Sequence, residues 1–165
     1  MDLSNLDLRH LRRCVELARA ALEAGDEPFG SVLVDGTGVV RLEARNQVGG
    51  GDQTRHPEFE IARWSAGHLS PAERASATVY TSGEHCPMCS AAHAWVGLGR
   101  IVYAVSSAQL SAWRLEWGAA PGPVCALPIT AIAPGIPVFG PANALSGELR
   151  ELHRRHFADA AESGR

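Results

Sequence analysis

The chain has 165 residues, of which 45% are hydrophobic and 20% charged, and a formal charge of −3. This is the size and composition of one globular domain, 1–165, able to bury its own core. The charge excludes a general electrostatic attraction to nucleic acid, and no apolar run is long enough to span a membrane.

The N-terminus shows no signal-peptide pattern. Four cysteines, two of them in a C-x-x-C, suit metal or redox chemistry better than a disulfide framework, which points to a cytoplasmic protein. Leu8, Leu11, Val15, Ala18 and Leu22 recur every three or four positions. They predict an amphipathic helix over 6–24, capped by Gly25. Cys14 lies near its apolar stripe and reads as a small core residue. Residues 31–34 and 39–46 predict a β-hairpin around a turn at 35–38. Gly30 either allows close backbone approach to a ligand or eases entry into the strand. Asn46 ends the second strand, where its amide can read a base edge or serve a turn.

A glycine-rich loop at 49–51 delivers the chain to His56, and Pro57 opens a helix to about Ala66. Residues 67–75 read as a loop with a capping signal at Ser70 and Pro71. Residues 78–81 predict a buried strand, 87–96 a helix and 100–105 a further strand. That alternation implies βαβ crossovers and a sheet with parallel members. The pattern is weak from 106 to 128, which reads as a short helix and then a loop. Cys125 lies in that loop, with packing as its default role. Short strand signals follow at 129–132 and 136–139, and a final helix begins near Ser146.

The chemistry concentrates between His56-Pro57-Glu58 and Cys86-Pro87-Met88-Cys89. One imidazole and two thiols form a ligand set suited to zinc, and three protein ligands leave a fourth tetrahedral position open. Glu58 lies two residues from the histidine, where a carboxylate can handle the protons of a water. A regular helix would place His56 and Glu58 roughly 200° apart. They share a site only if the first turn is irregular or the glutamate reaches back. Cys86 and Cys89 fall on one helical face at an N-terminus, whose partial positive charge favours thiolates. The pattern H-x-E…P-C-x-x-C is the signature of zinc deaminases acting on bases, with His85 here in place of the first proline. His10, His153 and His156 read as surface or packing residues. His93 lies near the second motif, with packing favoured.

Residues 52–58 and 81–89, with Pro28-Phe29-Gly30, resemble the cytidine deaminase-like superfamily. The guanine deaminase and nucleobase deaminase branch looks nearest, with tRNA adenosine deaminases as cousins. The resemblance covers roughly 6–105 and, more weakly, Pro137 to Pro141 and the last helix. It implies a three-layer α/β/α fold with a mixed five-stranded sheet. It further implies a zinc ion on His56, Cys86 and Cys89, with Glu58 shuttling protons. Asn46 would bind the base and Trp95 line its pocket. Phe29 would line the mouth, Glu84 would shape the site or cap a helix, and His85 would contact substrate. Glu116 falls where the family places an acid that reads the purine. The implied activity is hydrolytic deamination of a free nucleobase, guanine-like by preference, in a homodimer. Wobble-adenosine deamination of tRNA, cytosine or cytidine deamination, a silent zinc-binding module and a thiol redox protein are the alternatives.

Overall fold

The computed structural model describes residues 3–162, so the expected unit 1–165 extends past the described residues at both ends. Five strands, β1 (Gly30–Val34), β2 (Val40–Arg45), β3 (Thr78–Gly83), β4 (Arg100–Val105) and β5 (Val138–Phe139), form one sheet in the order β2-β1-β3-β4-β5. β1 pairs antiparallel with β2 and β3, whereas β3, β4 and β5 run parallel. Parallel neighbours need long crossovers. Helix α4 (Pro87–Trp95) joins β3 to β4, and α5 (Ser107–Glu116) with the one-turn α6 (Ile129–Ile132) lies between β4 and β5.

The sheet is covered on both faces, giving the expected three layers. Helices α1 (Asn5–Glu23) and α7 (Asn143–Glu162) bury Leu11, Val15, Leu149 and Leu152 against Val32, Tyr80 and Val102. On the other face α2 (Pro57–His68) buries Ile61 and Ala62 against Leu33 and Val79. Adjacent residues Val32 and Leu33 therefore serve opposite cores, as the period-two alternation of a strand requires. Asp7 completes a capping box with Ser4 and accepts a 3.0 Å bond from the Tyr80 hydroxyl and another from Arg100. One carboxylate thus ties the start of α1 to β3 and β4.

The close approach at Gly30 is to α1. A Cβ there would lie 2.4 Å from Leu17 Cβ and 2.6 Å from the Cys14 carbonyl oxygen. Cys14 is fully buried in the α1 core, as read. Three sequence readings need correction. Residues 129–132 are the helical turn α6, not a strand, and Ile129 plugs a small core with Ile101 and Ala133. The segment read as a loop at 67–75 contains the end of α2 and α3 (Pro71–Ser76), which the Ser70 capping box starts. The last helix begins at Asn143, three residues before Ser146.

Gly30→Ala should cost about 1–3 kcal/mol, the usual range for overpacking, because both flanking contacts are helix backbone or Cβ atoms that cannot swing away. Chemical denaturation of the variant against the parent checks this. A second expectation concerns acid. Burial first, then the Arg114 and His156 charges, lower the His153 pKa from 6.5 to about 3. His85 and His93 shift the same way, chiefly by burial. The unfolded chain therefore takes up protons first, and stability falls as pH drops below 6.5. His153 alone should remove on the order of 2 kcal/mol between pH 7 and pH 5. Melting curves across that window should show the loss, and His153→Asn should flatten it.

Candidate active site

The two sequence motifs meet because each begins a helix in the same way. His56 is the N-cap of α2, in extended backbone at φ −82°, ψ 141°, and Pro57 follows at the first helical position. Cys86 is the N-cap of α4, at φ −66°, ψ 168°, and Pro87 follows it. A residue before proline is driven out of helical backbone. His56 is therefore released from helical periodicity, and the roughly 200° separation from Glu58 does not apply.

His56 Nδ1 lies 3.6 Å from Cys86 Sγ and 3.6 Å from Cys89 Sγ. A tetrahedral zinc with nitrogen at about 2.05 Å and sulfur at about 2.3 Å sets that separation at about 3.6 Å. All three donor atoms lie within 4.8 Å of one another. The residues fit the ion in donor type and in spacing. A bond from Cys89, then His56, lowers the Cys86 pKa to about 4, while the same contact and burial push Cys89 up.

Glu58 is buried behind this cluster. Its Oε1 accepts 2.6 Å and 3.0 Å bonds from the hydroxyls of Thr81 and Ser31, which also bond to each other at 2.9 Å. Its Oε2 is the atom nearest the metal donors, 3.8 Å from Cys89 Sγ. Burial raises its pKa, opposed by the Thr81 bond and His56. The result is a carboxyl group fixed by one oxygen and able to exchange a proton with the other.

Beside this cluster is a cavity of about 180 Å³. His56, Glu58, Cys86 and Pro87 form its inner end. Its walls come from Glu27 and Phe29 ahead of β1, one face of α5, residues 124–126 and His153 of α7. Among the predicted substrate residues, Phe29 and Glu84 line it. Both Glu84 oxygens are committed, to the backbone N–H groups of Ser107 at 2.8 Å and Ile129 at 3.0 Å. Glu84 thus caps α5 and α6, later helices than the one expected, and shapes the wall. Asn46 is fully buried, and its carbonyl accepts a 3.0 Å bond from Val48 N–H. Its amide nitrogen has no partner among the described residues.

Four expected contacts are not part of the cavity lining, the buried Asn46 and three others. Trp95 ends α4 with its side chain 87% exposed, on the far side of a helix whose first turn faces the metal. Glu116 forms an exposed ion pair with Arg150 at 2.6 Å. His85 turns inward, buried edge-on against His93 at 5.3 Å between ring centroids. His93 in turn donates to the Gly99 carbonyl at 2.8 Å and is a packing residue.

Sequence reasoning missed the opposite wall. Ser107, Ser111 and Arg114 repeat at helical spacing along α5, and all three line the cavity. Cys125, read as a packing residue, is exposed and lines it too. His153, read as surface or packing, is buried against Phe29 at 4.9 Å between ring centroids. The α5 spacing was present in the sequence, but nothing local said which face it covers.

Residues 4–105 match the cytidine and deoxycytidylate deaminase zinc-binding region. The chain belongs to that family. This deaminase-family chain is 35% identical over 111 residues to a probable cytosine deaminase of Schizosaccharomyces pombe, covering 66% of each protein. It is 33% identical over 95 residues to a guanine deaminase of Bacillus subtilis, covering 57% of this chain and 61% of that one. It is 31% identical over 117 residues to a tRNA-specific adenosine deaminase of Haemophilus influenzae, covering 66% and 64%. In each case the chain spans slightly less than two thirds of the relative's length. A solved guanine deaminase from Nitrosomonas europaea shares the fold, with a TM-score of 0.69 at 21% identity over 93% of this chain and 87% of that one.

Cys86→Ser should weaken zinc binding by more than the roughly 10–100-fold cost of losing an outer-shell partner. Metal content after equilibration with a competing chelator checks this. Full zinc retention would remove Cys86 from the ligand set.

Proposed function

We propose that this protein hydrolytically deaminates a free nucleobase or a related aminated oxo-heterocycle and releases ammonia. The observation that carries the reading is Glu58. It is a buried carboxyl group held by Thr81 and Ser31 through one oxygen, with the other oxygen beside the metal donors in a base-sized cavity.

When bound, zinc supplies a water acidified to a pKa of about 7 and a Lewis acid at the reacting carbon. His56, Cys86 and Cys89 would hold it. Glu58 Oε2 accepts a proton from water and delivers protons to the ring nitrogen and the leaving amine. Water adds to the carbon, the C–N bond breaks, and an amine becomes a carbonyl and ammonia. Thr81 and Ser31 keep the carboxyl group from rotating as its charge changes. Phe29 and Leu110 offer apolar cover that excludes bulk solvent. The unshared amide nitrogen of Asn46 supports a role in donating to the base.

Guanine and cytosine both fit. The guanine preference expected from Trp95 lacks that support, since the indole is exposed. The identity to a cytosine deaminase and to a guanine deaminase favours these bases alike. The homodimer implied by the resemblance belongs to the same proposal, and the exposed Trp95 supports it. No helix among the described residues is long and apolar enough to cross a membrane. Four free cysteines support a cytoplasmic setting.

Zinc-loaded protein should release ammonia from cytosine or guanine, and Glu58→Ala should keep zinc while losing at least about 10²-fold in turnover. The assay panel holds cytosine, guanine, adenine, their nucleosides and tRNA. Release from tRNA alone would move the activity to nucleic acid. Silence across the panel at full zinc occupancy would refute the reading.

A further inference from the structure

The mechanism leaves the outer end of the cavity unused. Two charged side chains stand there, Glu27 before β1 and Arg114 on α5. They pair at 3.1 Å between Arg114 Nη2 and Glu27 Oε1, and Arg114 is 44% exposed against 26% for Glu27. The pair uses one oxygen of Glu27 and one nitrogen of Arg114. The other oxygen and the remaining guanidinium N–H groups have no hydrogen-bond partner among the described residues. Glu27 and Arg114 line the same cavity as His56 and Glu58. The pair therefore belongs to the metal cavity and not merely to the surface.

A second observation points to a ligand at this end. His153 is only 5% exposed, lines the cavity and makes no hydrogen bond among the described residues. A buried imidazole is ordinarily paired. Here its ring packs edge-on to Phe29, and both rings line the cavity together with Glu27 and Arg114. Ser107 and Ser111 extend the polar face of α5 inward from Arg114. The cavity continues past Ser111, Arg114 and His153 into a neighbouring one, so discrimination against a sugar falls to polar contacts rather than to volume.

An ionised carboxylate only accepts hydrogen bonds, and a guanidinium only donates. Side by side they complement an N–H next to an acceptor. Cytosine has such an edge at N1–H and C2=O, on the side of the ring away from the reacting C4 and the ring nitrogen that Glu58 protonates. That N–H is the position that carries the sugar in a nucleoside. We infer that Glu27 reads that ring N–H while Arg114 reads the neighbouring acceptor, so that the site selects a free base over its nucleoside. This rests on the nucleobase reading above, which it narrows to a substrate class.

The test uses zinc-loaded Glu58→Ala protein, so that ligands bind without turning over. Calorimetry compares cytosine with 1-methylcytosine. The methyl group removes only the N–H in question. The parent should prefer the unmethylated base by about ten-fold or more, the range for a hydrogen bond to a charged group. Adding Glu27→Ala should abolish that preference by weakening the unmethylated base alone, and Glu27→Gln should restore part of it. Adding Arg114→Ala should weaken both cytosine and 1-methylcytosine. The ion pair is partly exposed, so these variants should keep the parent's melting temperature. A merely structural role for Glu27 would weaken both ligands equally and overturn the inference, as would absence of binding by every base. Ammonia release by the unsubstituted protein is scored separately. Release together with a methyl preference that is absent in the parent, or that survives Glu27→Ala unchanged, sinks this inference alone, whereas N–H-selective binding without release sinks only the deaminase proposal.

Discussion

Two helix starts aimed at one point are the constraint on which the rest depends. α2 and α4 each place a metal donor at the N-cap and a proline directly after it. Proline forces the donor into extended backbone, and the helix dipole adds positive potential where thiolates must form. Neither helix could hold the ion alone. They converge because both pack on the same face of the sheet, α2 through Ile61 and Ala62, α4 with Ala92 against the same cluster. The βαβ link between β3 and β4 sets where α4 begins, since Gly83 ends β3 just before the ligand segment.

Glu58 depends on a different part of the same frame. Its supporting hydroxyls, Ser31 and Thr81, sit directly opposite each other in the β1–β3 pairing. The sheet register therefore orients the Glu58 carboxyl group, and a slip of one residue in either strand would turn its hydroxyl to the other face. Gly30 bears on this register too. It lets α1 lie against β1, and its N–H donates to Ser82 Oγ at 3.1 Å.

The metal half of the cavity and the substrate half have different structural origins. The metal half is made of short, locally coded segments. The substrate half is assembled from the chain before β1, from α5, from the loop after it and from α7. Glu84 links the halves, because it lines the cavity while capping both α5 and α6. Changes in the outer wall can thus alter recognition while the ligand geometry stays intact.

By itself the sequence determined the set of metal donors, the carboxyl group beside them, the amphipathic α1 and the strand–helix alternation of the sheet. Those features are local: spacing within a motif, periodicity within a helix, a proline beside a ligand. Only the tertiary structure decided that Trp95 points to solvent, that Glu116 pairs with Arg150 and that His85 is sealed against His93. It also decided that Glu27, Arg114 and His153, separated by many residues, share one cavity. A side chain's neighbours across a fold depend on how whole elements pack, and helical periodicity cannot say which of several faces meets the pocket. Ile129 to Ile132 shows the same limit, since a short apolar run is compatible with a strand or a helical turn until a core selects one.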